Sequence, residues 1–160
     1  MIHIAMVALA LAGAGLAGCS EKTSSSEQAG QKVATVPVTI TTAQGKHRFQ
    51  VEAARTAAEQ AQGLMYRTDL KPDGGMLFAP YPPEGGGPRT ASFWMKNTPT
   101  PLDILFIRAD GTIARIAENS VPFSEAQIPS GEPIAAVLEL VGGRSAELGI
   151  AEGDSVFWPK

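Results

Sequence analysis

Apolar and polar positions alternate in VATVPVTITT (33–42), where Val36, Val38 and Ile40 share one face. After AQGK, the run HRFQVEAA (47–54) repeats the alternation with Phe49, Val51 and Ala53, so the two runs predict a hairpin. Pro37 has no backbone N–H to give a ladder, which places the first strand at an edge or at a bulge. The period then changes. Thr56, followed three residues later by Glu59, is a capping box, and the residues after it are mostly good helix formers, which predicts a helix over 57–66. GMLFAP (75–80) reads as a short buried strand and TASFWMK (90–96) as another. PLDILFIR (101–108) is apolar on both faces, as in a central strand. ADGT (109–112) predicts a tight turn with Asp110-Gly111 at its tip, leading back into TIARIAE. Residues 119–133 read as a polar connection punctuated by prolines. IAAVLELV (134–141) is a buried strand carrying one carboxylate, Glu139. Ser145 caps a helical turn that ends at Gly149, and SVFW is the last strand.

That pattern of about eight strands and one real helix predicts a mainly β domain over 33–160, an antiparallel β-sandwich or barrel. The ending ELGIAEGDSV also resembles the helix–Gly–Asp–strand close of a double-psi-like barrel, which is the alternative fold.

The leading residues follow neither period. MIHIAMVALALAGAGLAG (1–18) has no Lys, Arg, Asp or Glu and reads as a secretory signal peptide, too short and too rich in Ala and Gly for a membrane span. Leu16, Ala17 and Gly18 before Cys19 resemble the lipobox of bacterial lipoproteins. The resemblance implies cleavage after Gly18, acylation of Cys19 and a stable membrane anchor through two or three acyl chains. Ser20 after the cysteine implies sorting to the outer membrane, facing the periplasm. Residues 19–32, polar and Ser-rich, form a tether spanning about 20 Å.

Composition narrows the function. Apolar residues make up 44% and charged residues 18%, an ordinary globular balance, and the net charge of −3 with no basic block excludes a nucleic-acid partner. Cys19 is the only cysteine, so no disulfide is expected. Beyond the signal segment there is one histidine, His47, on an early strand, and no GxSxG elbow, which argues against Ser-His or Cys-His nucleophilic chemistry. Zinc ligands are too few, and neither a GxGxxG nor a phosphate loop is present, so no metal and no cofactor is expected. Met65, Met76 and Met95 are thioethers suited to Cu(I), but methionines among Leu, Phe and Trp read as core fillers.

Polar chemistry concentrates in FWMKNTPTPLD (93–103). On a strand, Phe93 and Met95 face the core while Trp94 and Lys96 share the other face. Asn97 closes a turn, Pro99 and Pro101 stiffen the corner, and Asp103 opens the central strand. With Arg67 and Glu139 these residues make a candidate ligand-binding group: Arg67, Trp94, Lys96, Asn97, Asp103 and Glu139. The expected arrangement brings the charged members together at one end of the sandwich, beside a loose loop over 81–89.

GLMYRTDL, GMLF, FWMKNT, PLDILF and LEL..G...ELGI..GD occur here in the order found in a bacterial and archaeal family known as domain of unknown function 192. The chain resembles that family over about residues 50–158 and departs from it in the Gly-rich segment 84–88. The resemblance implies a β-sandwich of jelly-roll type and no particular activity. Two functions remain. One is a lipid-anchored binding or assembly module of the envelope, recognising a small polar or glycan ligand or a partner protein. The other is a histidine-independent hydrolase or lyase using carboxylate and Lys/Arg residues. Cys19→Ala is expected to abolish both incorporation of labelled palmitate and fractionation with membranes; retention of either would refute the lipid anchor.

Overall fold

The computed structural model describes residues 34–160; the lipobox and tether lie outside the described residues. Nine strands and two short helices follow one another as β1 (Thr35–Thr42), β2 (Gly45–Ala54), α1 (Ala57–Gln62), β3 (Gly75–Phe78), β4 (Arg89–Phe93), β5 (Leu102–Ile107), β6 (Ile113–Ser120), β7 (Ile128–Ile134), β8 (Ala136–Val141), α2 (Arg144–Leu148) and β9 (Ser155–Phe157). Seven of the strands make one sheet in the order β6-β5-β8-β3-β2-β1-β9, and β4 pairs with β7 in a separate ribbon. The large sheet curls until β9, at one edge, meets the start of β6 at the other. There Ile113 N–H donates to Asp154 O, Gly153 N–H to Ile113 O and Val156 N–H to Gly111 O. The architecture is a β-barrel-like sheet with few helices, as the strand pattern predicts.

The local signals act as physical chemistry requires. In the first hairpin Val38 pairs with Phe49 and Val36 with Val51. Pro37 lies beyond the stretch where β9 pairs with β1, so its missing N–H interrupts no outer ladder. The Thr56–Glu59 capping box is present: Thr56 Oγ1 accepts from Glu59 N, and Glu59 Oε2 accepts from the N–H groups of Arg55 and Thr56. At Asp110-Gly111, Asp110 Oδ1 accepts from both the N–H and the hydroxyl of Thr112.

Several elements differ from expectation. The helix stops at Gln62 rather than 66, because Gly63 turns the backbone to φ 48°, outside helical geometry. A Cβ at Gly63 would stand 3.3 Å from Phe78, so the chain turns in close contact with that ring. The sheet is not wholly antiparallel: α1 is a crossover that lays β3 parallel to β2. The expected connection over 119–133 contains β7, whose outward polar residues and prolines conceal a strand paired to β4. The strand expected over 90–96 ends at Phe93, before Trp94.

The sheet is covered on both faces. Inside the curl, Val38, Ile40, Phe49, Val51, Leu105, Ile107, Leu138 and Leu140 pack with Ile113 and Val156. On the outer face Met76, Phe78, Ile104, Phe106 and Val137 lie beneath Leu64, Ala91, Met95 and Ile134. Each buried Leu, Ile or Phe contributes about 2–3 kcal/mol. Strand alternation therefore sends β5 residues of odd number inward and those of even number outward; β8 does the reverse. Asp103 falls among the inward residues and is fully buried. It accepts three backbone N–H groups: Asn119 at 2.7 Å and Gly143 at 2.9 Å on Oδ1, and Ser145 at 2.7 Å on Oδ2. It thereby caps α2, the role expected of Ser145, whose own hydroxyl is buried without a partner. Removing this carboxylate strands three buried or half-buried donors. Asp103→Ala is therefore expected to lower unfolding free energy by roughly 3–5 kcal/mol in denaturant titrations; a loss under about 1 kcal/mol would show that Asp103 does not hold the fold.

Candidate functional site

Above the outer face, the end of α1, Tyr81 and the segment after β4 leave a cleft of about 250 Å3. Leu64, Met65, Phe78, Phe93 and Trp94 supply its apolar wall, and Gln60, Lys96, Thr98 and Glu139 its polar groups. Phe93 packs edge-on to Phe78, with ring centroids 5.3 Å apart, and lies 5.9 Å from Tyr81. This aromatic stack fixes the floor.

Glu139 is the unusual member. Alternation along β8 turns it to the outer face beside Val137, and its residue is only 5% exposed. It has no hydrogen-bond or ion-pair partner among the described residues, and burial alone pushes its carboxyl up to about 8. At neutral pH it is mostly a neutral acid, able to donate as well as accept. The backbone beneath it is closely held: Gly75, at φ 153°, approaches so closely that a Cβ there would stand 2.1 Å from the carbonyl oxygen of Glu139. Gln60, by contrast, carries a buried unsatisfied atom. Its Nε2 donates to Ala54 O at 3.0 Å and to Pro80 O at 2.8 Å, which leaves Oε1 buried without a donor.

Lys96 and Trp94 form the rim. Lys96 Nζ lies 5.1 Å from the Trp94 ring centroid and 3.9 Å from Glu125 Oε2. Trp94 is 42% exposed. Asn97 adopts a left-handed φ of 54° as part of the turn that follows; its backbone oxygen accepts from Tyr66 N at 2.7 Å, and its Nδ2 stands 4.0 Å from Met65 Sδ.

Of the six expected site residues, the structure brings Trp94, Lys96 and Glu139 to one cleft and sets Asn97 in the adjoining turn. Arg67 and Asp103 do not converge with them. Arg67 is held by Asp69, with Nε–Oδ1 at 2.7 Å, and by Glu52 at 2.9 and 3.0 Å; both carboxylates raise its pKa, and Arg67 in turn lowers that of Asp69. Asp103 lies on the opposite face of the sheet, because β5 and β8 pair with Ile104, not Asp103, across from Glu139. The turn at 81–89 is also less loose than its glycines suggest: Tyr81 N–H donates to Ala135 O at 2.8 Å, and Glu84 pairs with Arg89. Gln60, Met65, Tyr81 and Phe78 were not legible as site residues, since only the fold of α1 and β3 onto the sheet brings them there. Met76 and Met95 are buried in the core, and Met65 lines the cleft. Among the described residues, no three of His, Cys, Asp and Glu group together as metal ligands.

The fold is that of a mainly β protein with a curled, barrel-like sheet. The sequence profile of domain of unknown function 192, described as an uncharacterized ACR, matches residues 38–158, and the chain belongs to that family. No curated protein matches. The chain is similar to a protein of unknown function from Novosphingobium aromaticivorans DSM 12444, with 49% identity over 78% of this chain and 85% of that one and a TM-score of 0.72. It is also similar to a putative transcription regulator from Sinorhizobium meliloti 1021, with 47% identity over 79% of this chain and 95% of that one and a TM-score of 0.72.

The raised Glu139 carboxyl has a stability consequence with a definite sign. Between its ordinary value of 4.5 and about 8 the folded chain holds a proton that the unfolded chain has released, so the contribution of this group is greatest below pH 4.5 and is lost as pH rises towards 8. Glu139→Gln removes the titration. The variant is expected to gain on the parent by up to about 1.4 kcal/mol per pH unit between pH 5 and 8 in denaturant titrations. A difference independent of pH would show that Glu139 is not the neutral buried acid described.

Proposed function

We propose that the chain is a lipid-anchored binding module of the cell envelope, and that its cleft takes a small polar ligand of sugar or amide type. One observation carries this reading: Glu139, buried and without a partner among the described residues, opens into a cleft rimmed by Trp94 and Lys96. A buried polar group with no partner lowers stability, and such a group in a cleft is accounted for when a ligand completes it. The neutral acid suits a hydroxyl or amide group, and the aromatic wall suits a ring. The volume of about 250 Å3 suits a single ring or side chain better than a drug-sized molecule. The lipobox-like residues before Cys19 support the anchor. A net charge of −3 supports a reading without nucleic acid, whatever the name of the Sinorhizobium relative.

A second reading, a hydrolase or lyase with Glu139 as general acid, draws on the same raised pKa. It is the weaker of the two, because Glu139 is the one carboxylate among the described residues lining the cleft and glycoside hydrolysis uses a pair. A thermal-shift screen of the purified protein against monosaccharides, N-acetylated amino sugars and small carboxamides tests the binding reading. At least one compound is expected to raise the unfolding temperature by mass action, with affinity falling about ten-fold or more in Trp94→Ala and in Glu139→Leu. A screen without such a compound, or compounds whose effect survives both substitutions, would reject it.

A further inference from the structure

A second and larger cavity, about 830 Å3, opens at the end of the barrel where β1 begins and where β2, β3 and β9 finish. It is separate from the Glu139 cleft, with no lining residue in common. Its volume lies in the range of small-molecule pockets, and barrel mouths are a recurrent place for them. Leu77, Val156 and the half-buried Trp158 are continuous with the inner core and form its apolar wall.

The polar groups around this mouth are unequal in sign. Arg55, Arg108 and Lys160 line it, against one lining carboxylate, Asp110. Asp110 is occupied in its own turn, accepting from the N–H and hydroxyl of Thr112. Arg108 is committed to Glu132 and to Thr112 and Ile113. Arg55 and Lys160 have no ion-pair partner among the described residues. Glu59, near Arg55 in sequence, accepts from the N–H groups of Arg55 and Thr56 through Oε2, and its charge also feels that of Arg55 without forming a salt bridge. Two exposed cations, neither in a salt bridge among the described residues, therefore stand beside an apolar wall.

We infer that the barrel mouth binds an amphipathic organic anion, with a hydrocarbon body against Leu77, Val156 and Trp158 and an acidic head at Arg55 and Lys160. Apolar burial supplies most of the binding, and the two cations select the acidic head over a neutral or cationic one. A soluble fatty acid and an anionic lipid share this chemistry, and the test separates them.

Trp94→Phe leaves Trp158 as the sole tryptophan of the full chain, so its emission reports on the mouth. Decanoate, or vesicles containing phosphatidylglycerol, is expected to shift that emission saturably. Decanol and decylamine, or vesicles of phosphatidylcholine alone, should be about ten-fold weaker or more. Arg55→Ala with Lys160→Ala should weaken the acidic probe about ten-fold and leave decanol unchanged; both side chains are exposed, and an unaltered circular dichroism spectrum confirms the fold. A response to decanoate names a free acid as the source, and a response to the anionic vesicles alone names a lipid head. The inference is overturned if neither acidic probe gives a saturable shift, if decanol or decylamine binds as well, or if the double variant binds the acidic probe undiminished.

Discussion

Everything distinctive in this molecule depends on the alternation of side chains along two central strands, β5 and β8, which are buried on both faces. Because Ile104 sits opposite Glu139 and Asp103 opposite Leu140, the two carboxylates on these neighbouring strands are sent to opposite sides of the sheet. A shift of register by one residue would exchange them and would also turn the apolar sets of both strands to the wrong side. The packing of Leu105, Ile107, Leu138 and Leu140 inside, and of Ile104, Phe106 and Val137 outside, opposes any such shift.

The two carboxylates then meet opposite fates. Asp103 is surrounded by donors: three backbone N–H groups converge on it, and its charge ties the end of β6 and the start of α2 to the central strand. Glu139 meets no donor, and desolvation keeps it protonated near neutral pH. One buried acid is thus a structural device, and the other is an acid without a protein partner at the edge of a cleft. This contrast, more than the cleft's size, sets Glu139 apart from Asp103.

The fold also separates two cavities by chemistry. The outer cleft is small, aromatic and lined by a single buried acid; the barrel mouth is larger, apolar and bordered by Arg55, Arg108 and Lys160 with Asp110. They use different layers of the core. The mouth continues the inner layer through Trp158, and the cleft continues the outer layer through Phe78 and Phe93.

The local elements were legible along the chain: the first hairpin, the Thr56–Glu59 capping box, the Asp110-Gly111 turn and the doubly apolar β5 and β8. Each depends on neighbours within a few residues, through turn chemistry or side-chain period. The sequence also marked Arg67, Trp94, Lys96, Asn97, Asp103 and Glu139 as candidates, because charge within an apolar strand and a ring beside a proline corner are visible as pattern. Which of these groups met was a matter of long-range packing. Arg67 went to Glu52 and Asp69, and Asp103 went to backbone donors from residues 16, 40 and 42 positions away. The parallel placement of β3, the strand hidden among the prolines of 128–134, and the arrival of Gln60 and Tyr81 at the cleft were equally beyond local reading. Strand period states that a residue faces one side or the other; which side, and what waits there, is fixed by register between segments far apart in the chain.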